Sequence, residues 1–178
     1  MRGLVTLLRD KEERVCISAM AALRMLSESR DGCEILLGAE SVQILVGCLT
    51  DMRRSQPLTG DILFSVGNLL RLEPAIAICV QAGLVGFLLT SVQNSESPGY
   101  QTQALILKCI QHLAGSDAGK LALINANGMS LIRVTIVLHL RHSFVTLKAD
   151  DHTSSCCWCQ VLQFLLILWP REQQRCNA

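Results

Sequence analysis

The sequence is poor in aromatic residues, with four Phe, two Trp and one Tyr among 178 residues. Charge is also scarce: 17% of residues are charged, and 16 Lys+Arg against 15 Asp+Glu leave a net charge of +1. A general polyanion-binding surface needs a basic excess, so that class is excluded. Arg53-Arg54 has no aromatic neighbours and does not make a nucleic-acid site. Twelve Gly and four Pro are too few for a linker or a fibrous chain. A long apolar run is missing too. The stretch from Cys156 to Trp169 covers 14 residues and contains Gln160 and Gln163. A bilayer span needs about 20, so this reads as a core helix, and no transmembrane span is expected.

Several catalytic signatures are missing. Gly115-Ser116-Asp117-Ala118-Gly119-Lys120 has the wrong spacing for a phosphate-binding loop and follows a helix. There is no Gly-x-Ser-x-Gly elbow. Glu12-Glu13 and Asp150-Asp151 lie in polar breaks and read as solvated. His152, Cys156, Cys157 and Cys159, with His139 and His142 nearby, do not form two zinc-type pairs. Nothing in the sequence supplies a base to activate one of those thiols. We therefore expect no enzyme activity, no metal and no cofactor.

What is abundant is apolar side chain, at 50% of residues, which makes a packed core the expectation. Nine cysteines are present. Cys16, Cys33, Cys48, Cys79 and Cys109 stand singly among apolar residues and read as buried free thiols. Their odd number, and an N-terminus that does not read as a secretory leader, point to a cytoplasmic or nuclear setting.

The apolar pattern repeats. Gly3-Leu4-Val5, Ile44-Leu45-Val46, Gly83-Leu84-Val85 and Leu131-Ile132 align at Leu4, Leu45, Leu84 and Leu131. Each phrase leads through a polar break to a longer helical pattern. The faces are Val15, Ala19, Ala22, Leu23 and Leu26; then Ile62, Val66, Leu69 and Leu70; then Leu105, Ile106, Cys109, Ile110 and Leu113. A shorter apolar piece follows each: Cys33, Leu36 and Leu37; Ile76, Cys79 and Val80; Leu121, Leu123 and Ile124. Pro74 suits a first helical turn, and Asp117 suits an N-cap. Gly83 and Gly128 stand where a left-handed C-terminal residue is wanted.

Three helices per unit of about 42 residues fall in the range of HEAT and armadillo repeats. Over residues 3–132 the chain resembles the armadillo family, about three units long. The fold expected is all-α, a right-handed α-solenoid of armadillo-like repeats (1–132) with an atypical C-terminal tail (133–178). The chain opens at a second helix, which suggests a shortened form of a longer solenoid. A large meiotic protein shortened by alternative splicing is one example. The tail alternates apolar and polar residues from Val134 to Arg141 and reads as an alternative C-terminus replacing further repeats, the other account being a degenerate closing unit in which a helix from Cys156 to Trp169 covers the last apolar face.

The resemblance implies a non-catalytic scaffold or adaptor that binds a protein partner. In the family, long third helices line a groove, where an asparagine holds the ligand backbone and a tryptophan one turn earlier holds ligand side chains. Here Asn68 takes the asparagine position, with Met25 and His112 as its counterparts. One turn earlier stand Ala21, Phe64 and Lys108. Asn68, Phe64, Lys108 and His112 are thus the candidate partner-binding residues. No tryptophan matches, which argues against an importin-like grip on nuclear localisation signals. Two readings compete with the scaffold: a membrane-associated protein held by the apolar tail, and a metal- or thiol-dependent enzyme. Both rest on residues 133–178.

Overall fold

The computed structural model describes residues 2–38, 41–50, 56–93 and 100–126. These lie in a compact unit, Met1–Ala126. The expectations for Gly128 and for the tail fall outside the described residues.

Among the described residues there is no strand. The helices are α1 (Arg2–Thr6), followed by a 3-10 turn Leu7–Arg9, then α2 (Glu13–Ser27), α3 (Arg30–Gly38), α4 (Ser41–Thr50), α5 (Gln56–Leu69), α6 (Glu73–Gln81), α7 (Leu84–Gln93), α8 (Tyr100–Gly115) and α9 (Asp117–Asn125). Two complete triplets stand out, α3–α4–α5 and α6–α7–α8. The third helix of each unit is the longest: α2, α5 and α8 have 15, 14 and 16 residues, against 9 or 10 in α3, α4, α6, α7 and α9.

The lengths follow from what each helix must bury. Helices α2, α5 and α8 pack side by side as a ladder, α5 between the other two. Helix α5 also packs on α4, so it is enclosed on three sides, and no residue from 58 to 70 is exposed. Ile62, Leu63, Val66, Leu69 and Leu70 are all fully or almost fully buried. Burying each such side chain contributes about 1.5–3 kcal/mol. Gly67 faces α8, where a Cβ would meet the Cys109 sulfur at 3.5 Å, an ordinary van der Waals contact. The short helices stack behind, α4 against α1, α6 and α7, and α6 against α9.

The expected core faces hold, with shifts at their edges. Cys16, Ala19, Met20 and Leu23 are buried on α2, and Ile106, Cys109, Ile110 and Leu113 on α8. On α9 only Leu123 among the three apolar residues is buried, whereas Leu121 and Ile124 are 59% and 56% exposed. The described partners of α9 are α8 and α6, which cover one side of it.

The junctions between units reuse one device. Ser116, not Asp117, caps α9, with its hydroxyl accepting from the Gly119 N–H at 3.0 Å. Asp117 instead occupies the first turn, where its charge suits the helix dipole. Two repeats earlier, Ser29 accepts from the Gly32 N–H at 3.0 Å. Both glycines are buried, and a Cβ on either would run into the carbonyl that ends the preceding long helix, Leu26 or Leu113. Between these units the turn into α6 differs: Leu72 is extended, and Pro74 fills the first turn as expected. Gly83 ends that helix at φ +89°, the left-handed conformation anticipated for it.

This geometry separates glycines that must stay from glycines that need not. Gly32→Ala and Gly119→Ala should each cost about 1–3 kcal/mol, because backbone has to move. Gly47→Ala, exposed on α4 with open space around it, should instead stabilise by up to about 1 kcal/mol. Denaturant melts followed by helical circular dichroism would show the contrast. Equal effects at all three positions would contradict the junction geometry.

Candidate functional site

Residues four apart share a helix face. On α5 this aligns Phe64 with Asn68, and on α8 it aligns Lys108 with His112. Because the two helices are ladder neighbours, the four candidates lie in adjoining rows.

Phe64 is half-buried and is approached by a cation from each flanking helix. The Arg24 guanidinium of α2 lies 4.6 Å from the ring centroid, and the Lys108 ammonium of α8 lies 5.7 Å away. Each such contact contributes about 0.5–1 kcal/mol at a partly exposed site. Arg24 also forms an ion pair with Asp61, one turn before Phe64 on α5. The ring is therefore part of an inter-helix clamp rather than a free platform.

Asn68 is 7% exposed, more enclosed than a solvent-facing residue would be. Its Nδ2 donates to Ser27 Oγ on α2 at 3.4 Å, the long end of the hydrogen-bond range. Ser27 is already committed, donating to the Arg24 carbonyl at 2.7 Å. The Asn68 Oδ1 has no partner among the described residues. An amide has two donor and two acceptor positions, so most of this one's capacity is left over. A pocket of about 310 Å³ opens at this point. It is lined by Ser27, Glu28, Arg30, Cys33, Asn68 and Arg71 among others.

His112 is half-buried. Burial first, then the Lys108 and Arg71 cations, lower its pKa below the usual histidine value. It is therefore neutral at pH 7. The thiols behave differently. Cys16, Cys33, Cys48, Cys79 and Cys109 are all buried and free, as the sequence suggested. Burial pushes Cys79 up to about 12. Cys109 is also raised to about 12, by burial and then by Cys79, with Lys108 partly opposing. Burial raises Cys33 as well, offset in part by Arg71. Thiols held protonated in this way are not nucleophiles at neutral pH.

Of the residues named from the sequence, Lys108 lies over the Phe64 ring, whereas Asn68 reaches Ser27 and lines the pocket; the sequence reading gave Asn68, Phe64, Lys108 and His112. It missed Arg24, Asp61, Arg71 and Ser27. Arg71 was findable, since it lies one turn beyond Asn68. The Arg24–Asp61 pair spans 37 residues, out of step with the repeat, and carries no periodic signal. Among the described residues, no group of three or more His, Cys, Asp or Glu side chains could hold a metal ion. Also among them, no single helix is long and apolar enough to cross a membrane. The residues from His139 to Cys159 considered for zinc, and the apolar stretch 156–169, lie outside the described residues.

No protein-family model and no curated protein match the sequence. Solved structures do match its fold. A designed armadillo repeat protein in complex with the peptide (KR)4 superposes with a TM-score of 0.68 at 16% identity, over 93% of this chain and 61% of that one. Two engineered proteins from the Northeast Structural Genomics Consortium also match. One has a TM-score of 0.65 at 19% identity, over 90% of this chain and 57% of its own. The other has 0.64 at 20%, over 85% and 34%. The chain thus spans between a third and three-fifths of the length of these structures, and its fold is an armadillo-like helical solenoid.

The thiol environment gives a direct check. Maleimide labelling of the native chain, mapped by peptide mass, should leave Cys79 and Cys109 unmodified. Labelling in guanidinium should modify both. Rapid native labelling of either would contradict the packing of α6 on α9 or of α8 on α5.

Proposed function

We propose that this chain is a non-catalytic protein-interaction scaffold whose α2–α5–α8 face takes an extended segment of a partner protein. The observation that carries this reading is the Asn68 amide. It is buried and lines an open pocket, and among the described residues it makes one long hydrogen bond and its Oδ1 lacks a partner. A peptide backbone offers both a donor and an acceptor at each residue, and so can fill what the amide leaves open. Phe64 and Lys108 would border the bound segment on one side, and His112 on the other.

Two further points support the reading. Armadillo-like solenoids are typical of protein-interaction scaffolds, and stacked long helices supply an extended surface. The designed neighbour was solved with a peptide, which makes peptide binding a known use of such a frame. The five buried free thiols fit a cytoplasmic or nuclear setting.

The test is to pan a random dodecapeptide library on the full chain. Recovered peptides should bind at least tenfold more weakly to Asn68→Ala, and more weakly to Phe64→Leu, with both variants checked for native helicity. A library that yields no binders, or binders indifferent to both substitutions, would contradict the proposal.

A further inference from the structure

Resting on that reading of the face, we infer that the segment it takes is acidic, with one carboxylate seated at Arg71 beside the Asn68 amide and another on the Lys108 side of Phe64. The argument is one of charge left over. On this face Arg24 is matched by Asp61, and Arg30, at the pocket rim, is matched by Glu34 at 3.2 Å. Arg71 and Lys108 have no ion-pair partner among the described residues. Glu28 is the one carboxylate that lines the pocket, and no ion pair joins it to Arg71 among the described residues. Among the described residues the face therefore offers two cations without counter-ions, on either side of the Asn68 row.

Both cations also bear on neighbouring groups. Arg71 lowers the cost of a thiolate at Cys33 on α3 and raises the cost of a charged imidazole at His112 on α8. Lys108 acts on His112 in the same sense. A basic segment laid here would meet charges of like sign at Arg71 and Lys108, whereas an acidic one would complement them. Arg71 suits a carboxylate in particular, because its planar guanidinium can hold two oxygens at once. The adjoining Asn68 can donate its second N–H to the same group.

A nucleic acid is a weaker fit. Base stacking needs a free aromatic face, and Phe64, the aromatic residue on this face whose side chain is described, already has cations over its ring. Two unmatched cations are also too few to follow a polyphosphate strand.

The experiment measures binding of labelled octapeptides to the full chain by fluorescence anisotropy. One alternates aspartate and glutamate, one lysine and arginine, and one glycine and serine; a twelve-nucleotide oligothymidylate is the fourth probe. The acidic peptide should bind at least about tenfold tighter than the other three. It should weaken about tenfold between low and high salt, and at least about fivefold in the double variant Arg71→Ala, Lys108→Ala. Arg71→Glu with Lys108→Glu should transfer the preference to the basic peptide, a gain that misfolding cannot mimic. Tighter binding of the basic or neutral peptide, still lost in Asn68→Ala, would overturn the acidic assignment and leave the scaffold reading standing. Preferential binding of the oligonucleotide would overturn it in favour of nucleic acid. Failure of all four probes, together with an empty library screen, would overturn both readings.

Discussion

The structure depends on the enclosure of α5. A three-helix unit of this size cannot bury its own apolar stripe, so each long helix needs a neighbour on both sides. Helix α5 has them in α2 and α8, and it has α4 as well. Its run from Leu58 to Leu70 is apolar well beyond one stripe, which is the pattern of a buried helix. Everything else is arranged so that α2 and α8 can approach it. Buried Ser65 and Ser27 satisfy their hydroxyls on backbone carbonyls of their own helices. Gly32 and Gly119 let the chain turn away at the ends of α2 and α8 without collision.

The same enclosure builds the candidate site. Asn68 is held in place because Leu69 and Leu70 on one side, and Val66 and Gly67 on the other, are locked in the core. Its amide lines an open pocket, and the α2 group it reaches, Ser27, already donates to a carbonyl. The polar capacity of Asn68 thus stays unspent in a fixed position. Phe64, one turn earlier, is fixed by cations from both flanking helices. Core and face are two sides of one helix, so the residues that would contact a partner are positioned by packing.

Much of this was legible in the sequence, for physical reasons that vary by residue. The repeat period announced the helix triplets, because each unit must present the same apolar spacing to the next. Pro74 and Gly83 were readable because backbone restrictions act locally. Asn68 and Phe64 were readable through the register of the third helices. The cap of α9 was misassigned by one residue, since Ser116 and Asp117 are both good caps and the choice depends on where Gly119 must sit. The exposure of Leu121 and Ile124 was not readable, because periodicity marks a face without showing what covers it. Arg24, Asp61 and Arg71 acquire meaning only when neighbouring units are stacked, and no local pattern sets that juxtaposition.

The central claim is that α5 is the shared core from which the ladder and its face are built. Native-state hydrogen exchange of the full chain, resolved residue by residue, tests it most directly. The account predicts that amides of α5 from Ile62 to Leu69 are the slowest to exchange, and that core amides of α2 and α8 open at a common free energy with them. If α5 exchanges as fast as α1 or α9, or opens independently of α2 and α8, the ladder is not one cooperative core and the account fails.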